Sequence, residues 1–187
     1  MNLILIGPPG AGKGTQAKYL VKKLKNFQVS TGDMLRDEIQ KNSEIGKKIL
    51  DDMSNGKFVD DTIVNKLIEN ILLDPNKKDR LIFDGYPRSL SQAKNLEHLL
   101  IKTEQKIDFI FFLNVSKETI IKRIEQRKII EKRSDDDLET IIKRYETYME
   151  TTKPVLDFYS KNSKFYEIDG SAKIEEITAK IDAFLNV

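Results

Sequence analysis

The consecutive residues Gly7, Pro8, Pro9, Gly10, Ala11, Gly12, Lys13, Gly14 and Thr15 have the chemistry of a phosphate cradle. Glycines lack a Cβ, so successive backbone N–H groups can converge on one anion. A helix opening near Thr15 aims its unpaired N–H groups and the positive end of its dipole at the same point. Lys13 adds a point charge that reaches terminal phosphates. An ordinary glycine-rich turn would share the glycines. The lysine, the apolar run Leu3-Ile4-Leu5-Ile6 before it and the helical pattern after it favour the cradle. Gly14 stands where the phosphate-loop pattern has Ser or Thr, so the hydroxyl that commonly ligates magnesium is missing there, and Thr15 follows one residue later.

A second phosphate-handling group follows Leu81-Ile82-Phe83, an apolar run that ends in Asp84. An Asp at the carboxyl end of a strand beside such a cradle can orient magnesium or its waters. Gly85 allows a ligand close approach, Pro87 fixes the turn, and Arg88 offers a planar fork for phosphate. Taken alone, Asp84-Gly85 describes a plain turn equally well. Arginines recur downstream. Arg123 and Arg127 are four apart and share a helix face. Arg133 and Arg144 are eleven apart, close to three turns, and point in similar directions if a helix begins near Ser134. Ser134 with Asp137 resembles a helix cap. Each arginine singly is a solvated charge; the four together suit a site that handles two anionic substrates, because Arg binds phosphate through two parallel hydrogen bonds.

The elements that must position these groups alternate between strand and helix, which predicts an α/β fold with a parallel sheet covered on both sides. Residues 2–6, 28–29, 81–83, 109–115 and 165–168 read as strands, several apolar nearly throughout. Residues 15–24 carry Ala17, Leu20, Val21 and Leu24 on one helical face. Residues 136–159 carry apolar groups at steps of three and four, and Pro154 should bend or split that helix. A last helix carries Ile174, Ile177 and Ile181. Residues 30–59 read as a small insertion of two short helices broken near residues 41–43, and residues 126–134 as a polar link between helices.

The 187 residues fit a single domain, with 39% hydrophobic and 33% charged residues giving a core and a heavily charged surface. Thirty-two basic against 30 acidic residues leave a net charge of +2, which argues against a broad nucleic-acid-binding face. No cysteine is present, which excludes disulfides and cysteine-ligated zinc. The N-terminus enters a strand directly, without a basic leader, and no apolar run approaches the roughly 18 residues of a membrane span. The expectation is a cytoplasmic protein that does not bind membranes.

These motifs, with Ser30-Thr31-Gly32-Asp33-Met34-Leu35-Arg36, Gly56-Lys57-Phe58-Val59, Asp84-Gly85-Tyr86-Pro87-Arg88 with Gln92, and Arg133-Ser134-Asp135-Asp136, closely resemble the adenylate kinase family over essentially the whole chain. The resemblance implies a phosphate-loop α/β fold with a five-stranded parallel sheet, a core of residues 1–29, 60–125 and 135–187, an AMP-binding insertion at 30–59 and a short lid at 126–134. It implies reversible, magnesium-dependent transfer of phosphoryl from ATP to AMP, giving two ADP, in a monomer without zinc. Gly10, Ala11, Gly12, Lys13, Gly14, Thr15, Arg123, Arg127 and the Ala172 backbone are implied to hold ATP. Thr31, Arg36, Lys57, Phe58, Val59, Gly85, Tyr86, Pro87, Arg88, Gln92, Arg133 and Arg144 are implied to hold AMP, with Gln92 reading adenine through an amide that donates and accepts at once. Lys13, Arg88, Arg123, Arg133 and Arg144 are the implied catalytic groups, and Asp84 is implied to orient magnesium through water. Asp60 departs from the pattern, where many relatives carry proline. His98, the one histidine, reads as an exposed helix residue rather than a catalyst.

Two rivals stand beside this reading. A UMP/CMP kinase shares the short lid, but Thr31 and the residues Ser89 to Gln92 favour AMP. A guanine-nucleotide switch is suggested by Asn76-Lys77-Lys78-Asp79, but that run precedes a strand instead of ending one.

Overall fold

A computed structural model of the protein describes residues 1–131 and 137–186. Five strands, β1 (Leu3–Ile6), β2 (Phe27–Ser30), β3 (Leu81–Asp84), β4 (Phe109–Asn114) and β5 (Phe165–Asp169), form one sheet in the order β2-β3-β1-β4-β5. Every pairing is parallel; Leu3 lies level with Ile82 on one side and Phe109 on the other. The strand side chains alternate strictly between two cores, as a period of two requires. Ile4, Ile6, Leu81, Phe83, Ile110 and Phe112 enter one core, and Leu3, Leu5, Ile82, Phe111 and Leu113 enter the other. Burial on both faces explains why the central strands are apolar throughout.

The helices are α1 (Lys13–Leu24), α2 (Thr31–Gln40), α3 (Glu44–Ser54), α4 (Asp61–Leu72), α5 (Leu90–Lys102), α6 (Lys117–Glu131), α7 (Leu138–Thr147), α8 (Lys153–Tyr159) and α9 (Ile174–Leu185). The first core is closed by side chains of α2, α3, α4, α5 and α8, the second by those of α1, α6, α7 and α9. The two helices expected between residues 30 and 59 are α2 and α3. Each starts on a serine: the side chain of Ser30 accepts from Asp33 N, and that of Ser43 from Gly46 N.

One expectation needs correction. Residues 126–131 are not a link; they continue α6, because Gln126, Arg127 and Lys128 are good helix formers. Residues 132–136 lie outside the described residues, and Arg133 and Ser134 with them. The expected helix start near residue 134 likewise lies outside the described residues; α7 starts at Leu138, with Asp137 as its cap, accepting from Thr140 N at 2.9 Å. The helical stretch is split as Pro154 suggested: α7 ends at Thr147, a π-helical turn, Tyr148–Thr152, follows, and Pro154 sits in the first turn of α8, where a missing N–H is tolerated.

Candidate active site

The carboxyl ends of β1, β2 and β3 open into a cleft of about 620 Å³. Open parallel sheets place their ligands at this edge. Leaving β1, the chain turns through Gly10, whose φ of +79° belongs to the left-handed region. A Cβ there would lie 2.8 Å from Ile124 Cγ1 of α6, so only glycine lets the loop lie this close to that helix. The first turn of α1 has neither a side-chain cap nor an acidic residue. Its N–H groups thus face the cleft with no anionic competitor on their own helix.

Lys13 sits at that turn. Its Nζ donates to Gly7 O (2.8 Å) and Pro8 O (2.9 Å). Burial of the ammonium pushes its pKa down to about 7. Asp84 opposes the shift, and the guanidinium groups of Arg88, Arg144 and Arg127 add to it. Those arginines come from the β3–α5 loop, α7 and α6, so four separate elements bring cations to one place.

Asp84 ends β3. Gln28 of β2 donates Nε2–H to Asp84 Oδ2 at 2.9 Å and fixes the carboxylate. A Cβ on Gly14 would lie 3.4 Å from that same oxygen, so Gly14 leaves a space beside the carboxylate where a side chain would otherwise stand. An oxygen ligand facing an open space beside Lys13 and Gly14 suits a hydrated magnesium ion carried by a triphosphate. Among the described residues no group of three or more acidic, histidine or cysteine side chains is assembled to hold a metal by itself.

On the other side of the cleft, Arg88 Nε donates to Gly85 O (2.7 Å), and the guanidinium lies over the Phe58 ring, 5.3 Å from its centroid. Thr31 Oγ1 donates to the same Gly85 carbonyl at 2.8 Å. Arg36 pairs with Asp33 at 2.5 Å. Gln92 is buried; its Nε2 donates to Asp61 Oδ1 (2.6 Å) and its Oε1 accepts from Arg88 N (2.7 Å). That uses one N–H and one lone pair of the amide and leaves one of each. Lys57, Phe58, Val59 and Pro87 also line the cleft.

Two residues named from the sequence do not line it. Tyr86 is 1% exposed, because its ring packs in the core beside Phe83 while its hydroxyl donates to Asn65 Oδ1 at 2.8 Å. Ala172 packs, partly buried, against the second core. Its loop is nonetheless tied to the site: Arg123 Nη1 donates to Gly170 O at 2.7 Å. Arg133 lies outside the described residues. His98 is exposed on α5. Sequence reasoning missed Gln28, Tyr148 and Thr152, all of which line the cleft. Thr152 Oγ1 donates to Arg88 O at 2.9 Å and so supports the Arg88 loop from the π-turn. No motif marks these residues; Gln28 and Thr152 act through Asp84 and Arg88, partners distant in sequence.

Comparison with known proteins gives one answer. The family described as Adenylate kinase matches residues 5–164. An adenylate kinase of Pelagibacter ubique is 49% identical, with all of both chains covered. One of Caulobacter sp. is 43% identical over 100% of this chain and 99% of that one, and one of Archaeoglobus fulgidus is 36% identical over 99% and 98%. The Pelagibacter alignment runs over 213 positions and the Caulobacter alignment over 187, so the relatives differ in length. These names do not favour a UMP/CMP kinase. With a phosphate cradle, an aspartate at the end of the neighbouring strand and converging arginines in one cleft, the chain belongs to the adenylate kinase family.

Proposed function

We propose that this cleft transfers a phosphoryl group reversibly between Mg·ATP and AMP, giving two ADP, with the triphosphate on the α1 side and AMP on the Arg88 side. The observation that supports the reading is the convergence of Lys13, Arg88, Arg127 and Arg144, carried by four separate elements, on one cleft. Such a cluster of cations suits two phosphate-bearing substrates meeting end to end, and it acts where negative charge shifts during transfer. An AMP phosphate is already dianionic at neutral pH, its second pKa being about 6, so no general base is needed. Catalysis is then positioning and charge stabilisation. Gly10, Ala11, Gly12, Gly14 and Thr15 wrap the triphosphate, and Arg123 and Arg127 flank it. Thr31, Arg36, Lys57, Phe58, Val59, Gly85, Pro87, Arg88 and Gln92 receive AMP.

Asp84, fixed by Gln28, would hold the waters of a magnesium ion carried by ATP, and the ion would supply charge neutralisation at the phosphate oxygens. Residues 30–59 and 126–134 serve as an insertion and a lid that exclude water over a core formed by the rest. The protein works as a cytoplasmic monomer, and no helix among the described residues is long and apolar enough to cross a membrane. Two adenosines joined through five phosphates test the reading: calorimetry should give binding far tighter than that of ATP or AMP alone, and affinity no better than that of ATP would overturn it.

A further inference from the structure

The first turn of α4 reaches across to the β3–α5 loop. Asp61 Oδ2 accepts from Ser89 Oγ (2.7 Å), and Oδ1 accepts from Gln92 Nε2 (2.6 Å). Gln92 N donates to Ser89 Oγ at 3.1 Å, and Gln92 Oε1 accepts from Arg88 N at 2.7 Å. The bonds form a closed ring between α4 and the loop. A carboxylate can only accept and a backbone N–H can only donate. Asp61 therefore demands the NH₂ end of the Gln92 amide, and Arg88 N demands its oxygen. Turning the amide over would set oxygen against carboxylate and N–H against N–H.

The remaining N–H and lone pair of Gln92 thus keep a fixed order. An adenine edge offers an exocyclic amine that donates beside a ring nitrogen that accepts; a 6-oxo purine offers the reverse, a carbonyl that accepts beside a ring N–H that donates. One orientation of the amide fits the first, the other fits the second. The geometry points to Asp61 as a positioning residue that sets nucleobase specificity: by locking the Gln92 amide it selects a 6-amino purine monophosphate against a 6-oxo one. This rests on the reading that Gln92 faces the acceptor base.

The test measures kcat/KM with AMP and with inosine monophosphate, together with KM for ATP. Asp61→Leu, similar in size but without an acceptor, should raise the inosine-to-adenosine ratio by about tenfold or more, the scale of one lost charge-assisted hydrogen bond. KM for ATP should stay within about twofold, and Asp61→Asn, which keeps an acceptor oxygen, should restore most of the discrimination. Asp61→Ser, too short to reach Gln92, gives the same readout if the leucine variant does not fold. A ratio unchanged by Asp61→Leu or Asp61→Ser, while Gln92→Leu alters it, overturns the role of Asp61 and leaves the acceptor site standing. A ratio unchanged by Gln92→Leu removes the base contact itself.

Discussion

With Lys13 at the proposed triphosphate site, nucleotide binding should be a proton-uptake reaction. Its pKa stands at about 7, held down by burial first and then by Arg88, Arg144 and Arg127 against the pull of Asp84. A bound triphosphate supplies negative charge at short range and returns the lysine to its charged form. If only charged Lys13 supports tight binding, affinity scales as 1/(1 + 10^(pH−pKa)). From pH 6 to pH 8 it then falls about tenfold, and to pH 9 about a hundredfold, each decade corresponding to about 1.4 kcal/mol. At pH 8 about nine molecules in ten must take up a proton on binding. The terminal phosphate of ATP, with a pKa of about 6, has already lost its proton there and does not contribute. Isothermal titration calorimetry at pH 8 in two buffers of different ionisation enthalpy reads this uptake directly. Lys13→Arg, whose guanidinium stays charged, should abolish it. No uptake by the native protein, or the same uptake by Lys13→Arg, refutes the reasoning. The group's effect on folding has the opposite sense. The unfolded chain holds this proton up to its ordinary pKa of 10.5 and the folded chain only to about 7, so its contribution to stability increases as pH rises through that window.

Gly85→Ala should raise KM for AMP with little change in KM for ATP in steady-state kinetics, because φ there is +76° and a Cβ would lie 2.6 Å from Arg88 Nη2; equal changes in both constants would contradict it. Ser43→Ala removes the cap of α3 and its bond to Glu38 Oε2 (2.6 Å), and should cost about 1 kcal/mol in urea denaturation. Among the described residues no protein group bonds the Tyr159 hydroxyl, and burial pushes its pKa well up. Tyr159→Phe should therefore be neutral or stabilising by up to about 1 kcal/mol, and a clear drop in melting temperature would show a bond at that oxygen.

The central strands were legible because burial on both faces leaves no polar residue between Leu3 and Ile6 or Leu81 and Phe83. Edge strand β2 was read too short, at residues 28–29; of its four residues only Val29 is fully buried, and partial exposure blurs the pattern. No helix was assigned to residues 61–72, although Val64, Ile68 and Leu72 repeat every four residues behind the Asp60 cap. α6 was cut short because its charged residues surround the axis instead of lying on one face. At the site, sequence spacing supplied the kinds of group but not their partners. That Arg123 turns to the Gly170 carbonyl and that Asp61 meets Gln92 depend on contacts 47 and 31 residues apart, which no local pattern encodes.

The helical path from α7 through the π-turn to α8 joins both sides of the sheet. Ile141 is buried in one core, while Val155 and Tyr159 are buried in the other. Consecutive turns of one helical path are therefore held by different layers of the fold. Loosening either layer frees helix that continues into the other, so the protein should lose its structure in one cooperative step, with amide exchange along α7 and α8 slowed to a similar extent.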